Sequence, residues 1–312
     1  MKRGPGIGDI LTLTPSIREI RRQFPQGQVH VATNLQHLNG ALASVLLHNP
    51  DVTSVIDIHR PAITTPDLVL DLDRACISHE SKIGNSPRTR IDLFADYVGI
   101  ELRDHTLRYF IEEQELSNGY DLLNGHKDKE TLLVQLGTSG NQRSIPPTLA
   151  IPVLRALAGA GIQCIVLSHP SERSTEVLPR EQLMTLGIVF WDNLPLRTIA
   201  GVMPFVSGLL CPDSSLLHLA AAIGLPTIGL FGPTSPQSRL SYYPKAIGLW
   251  AGSHNKRCPC FSSTCSLRYR CWMALDPNVV VKTTIDHLQV SEPVDILRLS
   301  RSGAPTIQTE VI

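Results

Sequence analysis

The sequence predicts an α/β protein with two parallel sheets, each covered by helices on both faces, and three observations carry the prediction. Short apolar runs of strand length alternate with segments whose apolar residues recur at helical spacing. That rhythm breaks in a polar, turn-rich stretch at 117–130 and then restarts. The 312 residues are 42% hydrophobic and 18% charged, enough for two domains that each bury a core. The expected boundaries are 1–120, 121–290 and a C-terminal helix or tail over 291–312.

In chain order, residues 13–24 read as a helix through Leu13, Ile17, Ile20 and Phe24. Residues 28–33 read as a strand. The helix at 41–50 stops at Asn49-Pro50, and strands follow at 54–58 and 67–73. Residues 90–100 look helical, and 117–130 is the expected linker. In the second half, strands are expected at 131–137, 162–168, 208–213 and 226–232. Helices are expected at 149–161, 195–205 and 214–224.

Formal net charge is zero, so the basic excess of a nucleic-acid binder is missing. No apolar run reaches the ~18 residues of a membrane-spanning helix, and the first ten residues lack the apolar core of a signal peptide. The reading therefore expects a cytosolic enzyme. The basic run Arg74, His79, Lys82, Arg88 and Arg90 offers a surface for a phosphorylated glycan or an anionic membrane, although a solvated loop is the simpler reading.

In open α/β sheets, ligands bind beyond the carboxyl ends of the strands. Four polar motifs fall at such ends: Gly137-Thr138-Ser139 through Arg143, Ser168-His169, Asp213-Ser214-Ser215 with His218, and Gly232-Pro233-Thr234-Ser235-Pro236. Small residues there let a ligand approach free backbone N–H groups, and a helix start adds partial positive charge suited to a diphosphate. Arg143 neutralises charge. Read alone, each motif is equally an ordinary cap or loop. Asp9, next to Gly8 and ahead of a helix, is either a helix-start charge or a general base.

The run from Cys211 to Pro236 and the opening GPGIGDILTLTPSIREI at 4–20 together resemble glycosyltransferase family 9, the heptosyltransferase-like family. The resemblance extends over most of residues 1–290. It implies a GT-B fold, two Rossmann-like domains facing a cleft. It implies transfer of a sugar with inversion, a heptose from ADP-heptose, onto a lipopolysaccharide-core or other glycan hydroxyl. Asp9 falls on the family's catalytic base. Thr138, Ser139, Arg143, Glu172, Asp213, Ser214, Ser215 and His218 fall on its donor-binding positions, with Lys2 or Arg3 as further support for the leaving diphosphate. The chain departs from the pattern at Arg143, where Lys is usual, and at Ser215, where Gly is usual. Only three residues precede Gly4, where the family places its first strand, so the reading expects sequence upstream.

Cys258, Cys260, Cys265 and Cys271 crowd into one segment. Four thiolates can enclose a structural Zn or Fe ion; reduced cysteines are the equal alternative. No cofactor is expected for the chemistry itself. A nucleotide-sugar epimerase or hydrolase, and a non-catalytic nucleotide-sugar-binding relative, are the competing functions.

Overall fold

Strands buried on both faces read as unbroken apolar runs, and the second half of the chain supplies them in series. A computed structural model of the chain describes residues 1–4, 6–59, 66–75, 88–126, 130–140, 142–169, 178–252, 258–260, 270–296 and 299. Two compact units emerge, one of Met1–Glu113 with the chain from Ile296, the other Gln114–Asp295.

In the first unit, β1 (His30–Thr33) pairs in parallel with β2 (Ser54–Asp57), Val31 opposite Val55. Residues 1–3 lie on the other side of β1. Lys2 bridges Ala32 on one flank and Asp71 on the other, and Lys2 N–H donates to Leu70 O at 2.7 Å. Three residues therefore fill the inner row, where the sequence left little chain for a strand. The strand expected at 67–73 is reduced to this bridge, and Leu68 and Val69 are exposed. Helix Ile7–Gln23 buries Ile10, Leu11, Leu13 and Ile17. Helix Arg90–Val98 packs on it, opened by a capping box between Thr89 and Asp92 and closed by left-handed Gly99.

The second unit is a six-stranded parallel sheet in the order β5-β4-β3-β6-β7-β8. Its strands are β3 (Thr131–Gln135), β4 (Gln163–Ser168), β5 (Val189–Asp192), β6 (Gly208–Pro212), β7 (Thr227–Phe231) and β8 (Ala246–Trp250). The first strand, β3, lies inside, and the order reverses between β3 and β6. This is the doubly wound arrangement, a class in which ligands bind at such a reversal. Helices Pro147–Gly159 and Pro277–Val290 pack together over the core residues Leu132, Val134, Val153 and Val280. Pro277–Val290 thus belongs to the second unit, whereas Leu299 accepts a hydrogen bond from Ile111 N–H in the first.

The stretch expected as a linker is helical over its first part, Glu113–Leu122. Tertiary packing overrides its turn-rich composition. Gly119 lies against Gly201 of helix Leu196–Val202, Glu115 pairs with Arg197, and Tyr120 meets the edge of Phe205.

Candidate functional site

Asp9 stands in the first turn of its helix, a favourable place for negative charge. It does not cap that helix. Its Oδ2 pairs with Arg3, and its Oδ1 lies 3.3 Å from Arg90 Nη1. Arg3 also pairs with Asp73, whose Oδ1 accepts from Gly4 N–H at 2.9 Å. Gly6 is the residue its position requires, with φ at 156° and a Cβ that would stand 2.5 Å from Asp9 Oδ2. The carboxylate is thus fixed between two guanidiniums and remains 23% exposed. Lys2 is held by Asp71 at 3.3 Å and Arg3 by its two aspartates, so each has a partner within the first unit. Of the basic run, Arg88 pairs with Asp96 and Arg90 with Asp9; His79 and Lys82 lie outside the described residues.

In the second unit the loops after β3 and β6 flank the strand-order reversal. Asp213 follows β6 and is 4% exposed. Arg239 Nε donates to both of its carboxylate oxygens at 3.2 Å, and Arg143 Nη1 donates to its backbone oxygen at 2.7 Å. Burial pushes the Asp213 carboxyl up, but Arg239, Arg143 and His218 together outweigh burial and leave it below the usual carboxylate range. Ser214 is the N-cap residue of helix Ser215–Ile223, yet its hydroxyl donates to Gln135 Oε1 at 2.5 Å instead of capping. The N–H groups of the first turn receive no side-chain cap. Ser215 opens the helix, and His218, one turn in, is buried. Its Nδ1 shares a 2.6 Å hydrogen bond with the Tyr243 hydroxyl. Burial pushes that hydroxyl up, so it stays protonated.

Thr138 shapes the neighbouring loop: its hydroxyl donates to Gly140 O at 2.6 Å and accepts from Gly140 N–H at 3.1 Å. Ser139 is exposed at the tip. At the ends of β4 and β5, Arg180 clasps Asp192 at 2.8 and 2.9 Å and Ser168 at 3.0 Å. The Arg180 hydrogen bond holds the Asp192 carboxyl below its usual range. Glu172 lies outside the described residues.

Gly232 and Pro233 after β7 receive the two ends of the cysteine segment. A Cβ on Gly232 would meet the Trp272 ring at 2.3 Å, and Cys260 N–H donates to Pro233 O at 2.8 Å. Trp272 Nε1 donates to Gln142 O at 3.0 Å, which ties the segment to the β3 loop. Cys258, Cys260 and Cys271 are half-buried, and Cys265 lies outside the described residues. Among the described residues, no three His, Cys, Asp or Glu side chains are arranged to hold a metal ion.

Motif reading missed Arg239, Tyr243 and Asp73, and it placed Arg90 in a basic run and not beside Asp9. Arg239 follows the Gly232–Pro236 motif closely, so a search for a cation near each phosphate-suited loop finds it. Asp73 carries no such signal, because its partner Arg3 is 70 residues away.

A family model described as glycosyltransferase family 9 (heptosyltransferase) matches residues 87–270. The chain belongs to glycosyltransferase family 9. Lipopolysaccharide heptosyltransferase 1 of Pseudomonas aeruginosa is 37% identical over 76 residues, which are 23% of this chain and 21% of that relative. The match thus spans about a fifth of the curated relative's length. Among solved structures, a glycosyltransferase family 9 protein from Veillonella parvula superposes with a TM-score of 0.69 at 15% identity, covering 93% of this chain and 96% of that one. The E. coli ADP-heptose lipopolysaccharide heptosyltransferase II does so with a TM-score of 0.57 at 15% identity, covering 91% and 98%. These likenesses give the family 9 chain its fold, the GT-B arrangement of two Rossmann-like units. Among the described residues, no helix is long and apolar enough to cross a membrane.

Proposed function

We propose that this family 9 member is a glycosyltransferase that moves a heptose from ADP-heptose onto a hydroxyl of a lipopolysaccharide core or related glycan, with inversion, in the cytosol. The observation that carries the reading is the pair of arginines gathered around Asp213, beside an uncapped helix start at the strand-order reversal. Such a place suits a diphosphate. The name of the E. coli relative supplies the choice of ADP-heptose and acceptor.

In this mechanism Asp9 accepts the proton of the acceptor hydroxyl as that oxygen attacks the anomeric carbon. The bond from that carbon to the phosphate oxygen breaks on the opposite face, and its electron pair leaves with ADP. Arg143 and the N–H groups of the Ser215–Ile223 helix offset the charge that develops on the diphosphate. Thr138 and Ser139 shape and line the loop beside it. Glu172 is assigned to the nucleoside by family position. The cysteine segment takes no part in these steps, and metal analysis of the purified protein would establish whether Cys265 completes a structural ion site.

The test follows ADP release and mass gain of a purified lipopolysaccharide-core acceptor. Asp9→Asn should lower transfer by ~10²–10⁴-fold. Free heptose formed without acceptor would point to a hydrolase instead. A folded protein that is stabilised by no ADP-, UDP- or GDP-linked sugar would overturn the reading.

A further inference from the structure

Asp213 is the most deeply buried group of the candidate donor site, and it is an anion where an anion should bind. A carboxylate below its usual range cannot donate a hydrogen bond to a phosphate oxygen, and two like charges repel. Its oxygens are also already taken. Arg239 Nε donates to both, and Arg143 Nη1 holds the backbone oxygen of the same residue, with its carboxylate at 4.0 Å. Each guanidinium keeps N–H groups to spare. Arg239 Nη1 makes only long contacts with Ser238, at 3.3 and 3.5 Å, and Nη2 makes no hydrogen bond among the described residues. Among the described residues, Arg143 uses Nη1 alone for its side-chain hydrogen bonds. Two guanidiniums, 14% and 33% exposed, therefore face one carboxylate and leave an excess of positive charge in a mostly dry setting. Such charge is stable when an anion completes it.

We infer that Arg239 is a second anion-binding side chain of this site, and that Asp213 is a positioning residue that presents Arg239 and Arg143 to the donor diphosphate without touching it. The inference rests on the donor-site reading and assigns work within it. Arg143 sits on the loop after β3, and Arg239 on the short helix Gln237–Leu240 after β7. Asp213, after β6 between them, is the only group of the three that meets both others. One buried residue thereby fixes the spacing of two cations that arise from separate loops, Arg239 through its carboxylate and Arg143 through its backbone oxygen.

The test is isothermal titration of the full-length protein with ADP, inorganic pyrophosphate and adenosine. Arg239→Gln keeps bulk and an N–H for Asp213, and Arg239→Lys keeps the charge; melting curves establish that each is folded. Arg239→Gln should weaken ADP by ~10–100-fold, the range of a lost charge-assisted hydrogen bond, and Arg239→Lys by less. Adenosine, which lacks the diphosphate, should bind both variants as it binds the wild type. Asp213→Asn should also weaken ADP, but should add little in the Arg239→Gln background. A folded Arg239→Gln protein that binds ADP at wild-type strength overturns the assignment of Arg239. Losses that multiply in the double variant overturn the positioning role of Asp213. If the wild type binds pyrophosphate but not ADP, the nucleotide reading fails while the arginine assignment stands, provided Arg239→Gln abolishes that binding. If neither ligand binds, both fail.

Discussion

Glu19 is a buried carboxylate whose environment is local and complete. Arg22 Nε donates to both of its oxygens at 3.1 Å, Arg22 Nη2 reaches Oε1 at 2.5 Å, and Gln23 adds a bond at 3.0 Å. The Arg22 hydrogen bonds hold the Glu19 carboxyl at about 2, well below its usual range. A depressed folded-state value stabilises the native chain above the unfolded value, and that contribution disappears as pH falls from about 4.3 toward 2. Glu19→Gln should lower the urea midpoint at neutral pH and flatten its decline across that window, as chemical denaturation at several pH values would show. Local sequence could reveal this group, because its partners are three and four residues away on one helix face. It could not reveal what Ser214 does. A serine at a helix start reads as a cap, but its partner Gln135 lies 79 residues away on another strand. The Asp213 motif was legible as a strand-to-helix turn, whereas the contacts inside it are ones that only the fold brings together.

At the scale of elements, the closest fit is between two helices in the second unit. A Cβ on Gly119 would lie 2.2 Å from the Gly201 carbonyl group, and one on Gly201 would lie 2.3 Å from Glu115 O. Both collisions are with backbone, so a side chain cannot turn away, and the helices must separate. Gly201→Ala should cost about 1–3 kcal/mol, read as a lower urea midpoint with unchanged slope. A change near zero would mean that the crossing is looser than its geometry implies. This contact also explains the misreading of 117–130. Asn118 and Gly119 look like turn residues, but here glycine serves close approach and packing holds the helix. The edge strands β5 and β8 escaped notice although each is a short apolar run, Val189-Phe190-Trp191 and Ala246-Ile247-Gly248-Leu249-Trp250; both are only partly buried and carry no alternation. The inner strands β3, β4, β6 and β7, almost wholly buried, were all legible.

For the whole molecule, the division into units separates two kinds of chemistry. Arg143 and Arg239, the arginines proposed for the diphosphate, belong to Gln114–Asp295, and Asp9 with its arginine clamp belongs to Met1–Glu113. The Asp9→Asn protein that loses transfer should therefore keep its ADP dissociation constant within about twofold, since independent sites contribute additively. A large loss of ADP affinity would place Asp9 in donor binding. The parallel sheet of the second unit followed from its strand-helix rhythm, but the first unit was harder to read. There the inner row rests on Met1, Lys2 and Arg3, too few residues to show any periodicity. Backbone bonds to both neighbours, from Lys2 to Leu70 and from Ala32 to Met1, establish it instead.

Trp272 carries a consequence for anyone who studies this protein in solution. Its indole is buried against Gly232, and its N–H is bonded to the carbonyl of Gln142, next to Arg143. The chain has three tryptophans, and the other two, Trp191 and Trp250, lie on edge strands of the sheet. With those two replaced by phenylalanine, the fluorescence of the remaining indole becomes an optical gauge of the loop that carries Arg143. Any ligand that draws that arginine should alter the emission, so occupancy could be followed on a millisecond scale without a label.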